Sequence, residues 1–182
     1  PPLLRRSVVD ARVYRPLLLG FVARAKLTLG WIQDWDAEHT VPISELYYVG
    51  GINSVRGYRY LSISPTQRVR SVDTPDSPIE EVATGGDKQA ILNLELEFPL
   101  FPTVGIRGVV FSDFGNSFAR GSFHDPNVSY SMYKSVGFGF RWISPIGPLR
   151  FEWGFPMDPR RDASGNRIDR PVDFQFTIGN FF

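Results

Sequence analysis

The sequence contains no cysteine, and only two of its 182 residues are histidines. The absence of cysteine excludes a disulfide scaffold and a thiolate metal site, and it leaves the redox compartment undetermined. No apolar run approaches the roughly 18 residues of a membrane-spanning helix, and the mean hydropathy is −0.15. The formal net charge of +1 gives no reason to expect nucleic acid as a partner.

The residues that usually carry catalysis are also scarce. His39 and His124 are the only imidazole groups, and both fall in predicted loops. Neither a Gly-x-Ser-x-Gly elbow nor a His-Glu-x-x-His pair occurs. Glu95 and Glu97 could suggest a glycosidase, but they lie on one face of a predicted strand. The sequence therefore predicts no enzymatic activity and no cofactor.

Aromatic residues, glycine and proline are abundant instead. Aromatics make up 14% of the chain, with 17 glycines and 15 prolines, a profile that favours strands and turns over helices. Apolar residues alternate with polar ones or glycine in period two, most clearly from Leu19 to Trp31. Seven strands are predicted, at about residues 5–15, 19–31, 89–98, 106–117, 133–143, 149–155 and 172–178.

The same alternation would suit a soluble sandwich or a membrane barrel. Three features favour the barrel. The strands are about 10–14 residues long, which matches a tilted bilayer crossing. Trp31, Trp142 and Phe155 lie near strand ends, where aromatic girdles occur, and the chain ends on an aromatic residue. Glycines 137, 139 and 154 lie on the polar face, where an inserted loop would need room. We therefore predict an all-β, transmembrane antiparallel β-barrel.

Periodicity is lost between about residues 34 and 86, a loop long enough to be functional. It contains Gly50-Gly51-Ile52-Asn53-Ser54-Val55-Arg56-Gly57-Tyr58. The two adjacent glycines permit positive φ and close backbone approach. Burial of Arg56 would require a partner of opposite charge, because an unpaired buried charge is strongly unfavourable. The alternative is a surface turn in which Arg56 is solvated. The composition of residues 69–85 fits an ordered segment as well as a disordered one.

This loop resembles the signature loop of the BamA-type outer-membrane assembly factors. Three further motifs agree in the family's order and spacing, namely Leu96-Glu97-Phe98, residues 111–115 (FSDFG) and 141–148 (RWISPIGP). The ending, residues 174–179 (FQFTIG), also resembles the family's closing strand. The resemblance implies that residues 1–182 are the C-terminal part, about seven to eight strands, of a sixteen-stranded barrel, with loop 34–86 folded into its lumen. The earlier strands and the periplasmic domains of the family are not present in this sequence.

The resemblance also implies roles for particular residues. The loop-tip motif is Val55, Arg56, Gly57 and Tyr58. Arg56 is expected to dock against Glu97 and Asp113, whose strand parity places both carboxylates on the polar, lumenal face. Lysine could not reproduce the fork of the guanidinium. The alternative is that Glu97 and Asp113 are ordinary solvated lumen residues.

The closing strand carries a second implied site, a lateral gate that includes Phe176, Gly179 and Phe182. Gly179 matches a glycine at which the family's closing strand can bend inward, although it could equally clear space in the lumen. Phe182 matches the terminal aromatic by which such barrels are recognised, or is an interfacial aromatic.

The implied function is an assembly factor that folds and inserts β-barrel proteins into the bacterial outer membrane through this gate. Its implied partners are unfolded barrel clients, outer-membrane lipids and accessory lipoproteins. The alternative is a polypeptide-secreting or translocating pore of the same superfamily. Arg56 would be shared by both and does not discriminate between them.

Overall fold

A computed structural model describes residues 4–34, 41–70, 79–119, 131–145, 147–162 and 164–179 of the chain. Strands account for most of these residues. The nine strands are β1 (Leu4–Pro16), β2 (Val22–Asp34), β3 (Thr66–Arg70), β4 (Ile79–Ala83), β5 (Lys88–Phe101), β6 (Ile106–Phe118), β7 (Tyr133–Ser144), β8 (Gly147–Pro156) and β9 (Asp173–Ile178). No helix within the described ranges has the length and apolar character needed to span a membrane.

Seven strands form one antiparallel sheet in the order β1-β2-β5-β6-β7-β8-β9. The seven-stranded prediction and the all-β class are therefore confirmed. β2 begins at Val22 rather than at Leu19, because Leu18–Gly20 forms a 3-10 turn in which Leu19 has a φ of 59°. In the described part of the chain, β1 and β9 each pair with a single neighbour, so this segment is an open sheet.

The two faces of the sheet have the opposite polarity to those of a soluble protein. Charged side chains on one face are buried, among them Glu95, Asp113 and Glu152, whereas Phe138 and Phe174 on the other face are about half exposed. Aromatic rings on this outer face stack across strands, as in Phe140 on Phe151 with ring centroids 4.6 Å apart. A sandwich would bury this apolar face, so the barrel interpretation accounts for the polarity and the sandwich does not.

The long loop divides into two parts with different environments. Residues 41–65 run along the charged face, here called the inner face, where Val49, Val55, Tyr58 and Ile63 are fully buried. β3 and β4 instead pair with each other, and Val69 and Val82 on them are exposed. Among the described residues of the predicted loop 34–86, the buried ones lie at 47–63 and at 85–86, whereas 42–45 and 59–61 are exposed. Residues 35–40 and 71–78 of this loop lie outside the described residues.

Candidate functional site

The tip of the loop is a compact turn built by its glycines and one serine. Gly50 N–H donates to Ser54 Oγ at 2.8 Å, and Gly51 N–H donates to the carbonyl of Val55 at 3.1 Å. Gly57 has a φ of 88°, a conformation that only glycine adopts without strain. The chain therefore reverses at residues 50–57 and presents Arg56 toward the sheet.

Arg56 lies against three carboxylates and is only 2% exposed. Its Nε and Nη2 donate to the two oxygens of Asp113, each at 2.7 Å, and its backbone N–H donates to Asp113 Oδ2 at 3.0 Å. Nη1 donates to Glu95 at 2.5 Å and to Glu152 at 3.2 Å. The guanidinium carbon also lies 3.6 Å from the ring centroid of Phe111. Planar stacking and forked pairing are geometries that suit arginine.

The carboxylates are themselves held by further arginines. Arg141 donates to both oxygens of Glu95 at 2.8 and 2.9 Å and to Glu152 at 3.2 Å. Arg150 donates to Glu152 at 2.8 Å and to the carbonyl of Ile52 in the loop at 3.4 Å. Burial alone would lower the pKa of Arg56, but the adjacent charges, Asp113 foremost, raise it above its ordinary value. Arg56 therefore remains a cation, and the cluster is a connected network of buried ion pairs.

The structure corrects one predicted partner. Glu97 does not pair with Arg56 in the described part of the chain; it accepts from Arg141 at 3.1 Å and contacts Arg24 and Arg107. The partner on β5 is Glu95. The reason is register: Glu95 lies opposite Phe111 and beside the Asn93–Asp113 pair, whereas Glu97 lies opposite Val109. Arg56 is anchored on both oxygens of Asp113, which is level with Asn93. Glu97 lies about 7 Å farther along β5 than Glu95, so Glu95 is the glutamate nearer to this anchor.

Replacement of each glutamate by glutamine tests this correction. We expect Glu95→Gln to loosen the loop tip, because Arg56 and Arg141 both lose a buried carboxylate. Glu97→Gln should leave the tip closed, because Arg56 keeps Asp113, Glu95 and Glu152 as partners and Arg141 keeps Glu95 and Glu152. Hydrogen–deuterium exchange of the amides at 50–58 in the full-length protein measures the difference. Equal exchange in the two variants would restore Glu97 as a partner.

Three inner-face glycines make room for this cluster. A Cβ at Gly154 would lie 2.4 Å from the backbone nitrogen of Gly57, so the tip packs directly on β8. A Cβ at Gly137 would meet the ring of Phe111 at 2.2 Å, and one at Gly139 would meet the side chain of Glu152 at 2.8 Å. Gly154 thus accommodates the loop, while the other two accommodate the side chains beneath Arg56.

The other two tip residues fill the space beside Arg56. Val55 packs with Ile91 in a small buried cluster. The Tyr58 hydroxyl lies 3.0 Å from the carbonyl oxygens of Lys134 and Asp158, and its single proton serves one of them at a time. Burial raises the pKa of Tyr58, which keeps the hydroxyl protonated as a donor.

The closing-strand residues lie apart from this cluster. Phe176 is on the outer face, with its ring 4.9 Å from that of Phe151. Gly179 follows the last residue of β9 with a φ of 127°, and its N–H donates to the carbonyl of Pro148. This is a backbone conformation that favours glycine and permits a local bend. Phe182, His39 and His124 lie outside the described residues.

Sequence reasoning missed three members of the network. By period two, Arg141 shares the polar strand face of Gly137 and Gly139, and Arg150 and Glu152 share that of Gly154, but parity does not tell which residues of different strands meet. The signal that could have found them is charge balance, since buried carboxylates need cations nearby. Within the described ranges, no group of three or more His, Asp or Glu side chains could hold a metal ion.

An open antiparallel sheet with an apolar outer face, and with a loop docked by an arginine on a charged inner face, defines a segment of a transmembrane β-barrel with a lumenal loop. The family comparison then gives the particular family. The model of the Omp85 superfamily domain matches residues 4–182, and the chain belongs to this superfamily. It is part of an outer-membrane β-barrel.

Individual relatives support the same placement. The chain is 34% identical, over 97% of its length, to the outer membrane protein assembly factor BamA of Nitratidesulfovibrio vulgaris, and 27% identical over 78% to BamA of Neisseria meningitidis serogroup B. It covers 20% and 19% of those proteins, so it spans about a fifth of these relatives. The crystal structure of BamA from Haemophilus ducreyi lacking POTRA domains 1-3 matches in fold, with a TM-score of 0.73 and 24% identity over 95% of this chain and 34% of that one.

Proposed function

We propose that the protein containing this segment assembles β-barrel proteins in the outer membrane. The observation that carries the proposal is the docked loop tip, in which Arg56 joins the loop to Asp113, Glu95 and Glu152 on three strands of the sheet. A loop fixed in this way occupies the inner face and stiffens the sheet around it. The relatives named as assembly factors supply the biological role.

The finer part of the proposal is a lateral gate at β9. β9 pairs over six residues, whereas the other strands of the sheet are ten to fourteen residues long. A short edge strand is held by few hydrogen bonds, and an exposed edge can accept a strand from another chain by β-augmentation. Unfolded barrel clients are the proposed ligands of this edge. Outer-membrane lipids and accessory lipoproteins are the further proposed partners.

The proposed activity involves no covalent chemistry. The buried carboxylates and arginines of the inner face are paired with each other, so they serve docking rather than proton transfer. Strand exchange at the gate requires only the making and breaking of hydrogen bonds. We therefore propose that the protein is not an enzyme and uses no cofactor.

Insertion of a denatured eight-stranded barrel into liposomes tests this function. Liposomes that contain the full-length protein are expected to yield a protease-protected client with heat-modifiable gel migration, while empty liposomes yield far less. The same liposomes are assayed for passage of an unfolded polypeptide into their interior. Passage without client insertion would overturn the assembly proposal in favour of the secretion pore.

A further inference from the structure

The loop tip is fastened to β9 as well as to the strands that carry its ion pairs. Gln175 on β9 donates from Nε2 to the backbone carbonyl of Tyr58 at 3.2 Å and to Asp173 Oδ2 at 2.8 Å. Both partners are acceptors only, so the orientation of the amide is fixed by its chemistry. The residue next to Gly57 in the tip is thus bonded to the middle of the closing strand.

The loop that leads into β9 also holds the tip. The Tyr58 hydroxyl reaches the carbonyl of Asp158, and the guanidinium of Arg160 bonds to the carbonyl of Ser62. Arg160 is fixed by Asp169, which accepts from its Nε at 3.0 Å and from its backbone N–H at 2.7 Å. Asp169 is buried, so this ion pair is shielded from water, unlike an ion pair on the protein surface.

β9 has little else to hold it within the described chain. It pairs with β8 alone, over Asp173–Ile178, and its outward side chains Phe174 and Phe176 stack on residues of β8. Among its inward-facing residues, Gln175 bonds to the tip. The Gln175 bond ties β9 to the loop, a link that neither the pairing with β8 nor the outer-face stacking supplies.

We propose that Gln175 is a positioning residue that couples the docked loop to β9, so that displacement of either one loosens the other. The proposal rests on the lateral gate, because it is the opening of β9 that the coupling would control. Coupling between two parts of a molecule is reciprocal, so loss of the Gln175 bond should loosen both β9 and the tip. The ion pairs of Arg56 would then set how easily β9 opens.

Hydrogen–deuterium exchange of the full-length protein in nanodiscs tests the coupling. Gln175→Met keeps the length of the side chain and removes the donor. Loss of one such bond predicts about two- to tenfold faster exchange in residues 173–178, and faster exchange at 50–58, with β5 unchanged. Thr177→Val is the matched control, because Thr177 is the next inward-facing residue of β9 and makes no hydrogen bond to the tip within the described chain.

Two results would overturn the coupling. One is unchanged exchange at both β9 and the tip in Gln175→Met. The other is equal acceleration in Thr177→Val, which would reflect general weakening of the strand. Insertion of the client barrel is measured separately for Gln175→Met. Faster exchange together with normal insertion would support the coupling of loop and β9 but would show that it does not control the gate. Failure of the coupling is thus distinguishable from failure of the proposed function.

Discussion

Arg56→Gln is expected to release the loop tip from the sheet and to destabilise the barrel by about 3–5 kcal/mol, the cost of breaking a buried ion pair by removing one partner. Asp113 would lose the two side-chain hydrogen bonds from Arg56 Nε and Nη2. Release of the tip would also break the third, from the backbone N–H of residue 56. A neutral amide cannot pair with Asp113, Glu95 and Glu152 at once. Their mutual repulsion would then push the strands and the tip apart.

Arg56→Lys should behave like Arg56→Gln rather than like the parent protein. An ammonium group keeps the charge but cannot fork onto Asp113 while also reaching Glu95, nor can it stack as a plane on Phe111. The matched control is Arg59→Gln, because Arg59 lies in the same loop and is exposed. The midpoint of heat-modifiable gel migration and exchange at 50–58 measure the effect.

A double-mutant cycle separates the ion pair from its surroundings. Asp113→Asn should destabilise the Arg56→Gln variant much less than it destabilises the parent protein, because the ion pair between residues 56 and 113 is already lost in that variant. Additive effects in the cycle would contradict the docking role of Arg56, as would parent-like exchange at the tip in Arg56→Gln.

Sequence alone was sufficient for the polarity of the sheet. Period-two alternation placed Glu95, Asp113, Arg141 and Glu152 on one face, and the structure has all of them buried there. The alternation could not distinguish Glu95 from Glu97 as the partner of Arg56, since both glutamates lie on the polar face of the same strand, two residues apart. That choice depends on the register of β5 against β6, which is set by the pairing of whole strands.

The loop shows a different limit. Its lack of period two correctly indicated that residues 41–65 do not belong to the main sheet, but the pairing of β3 with β4 was not predicted. Five-residue strands with exposed valines carry too little alternation to stand out. The ion-pair network likewise depends on contacts between residues up to 96 positions apart, as for Arg56 and Glu152, which local patterns do not contain.

Gly154→Ala is expected to undock the tip without changing any charge. The new Cβ would lie 2.4 Å from the nitrogen of Gly57, 2.6 Å from its Cα and 2.8 Å from the carbonyl carbon of Arg56. All three are backbone atoms, so no side chain can rotate to relieve the overlap. Such overpacking typically costs about 1–3 kcal/mol. The strand itself accepts alanine, because Gly154 lies within β8 and its φ is not positive.

Ser135→Ala is the matched control for this variant. Ser135 is buried on the same inner face, on the strand next to β8, and its Oγ has no hydrogen-bond partner in the described part of the chain. Its replacement should leave tip exchange and gel migration unchanged. An unchanged tip in Gly154→Ala would mean that the backbone of residues 56 and 57 does not rest on β8.

Combination of Gly154→Ala with Arg56→Gln tests whether the steric seat and the ion pairs serve one docked state. If the tip has already left the sheet in Gly154→Ala, Arg56 has lost its carboxylates, and removal of its charge should add little further destabilisation. Exchange at 50–58 in the double variant is therefore expected to match that of the more affected single variant. Effects of the two substitutions that simply add would instead show that Gly154 and Arg56 support separate features of the barrel. If both residues hold the same docked state, the second substitution finds that state already lost.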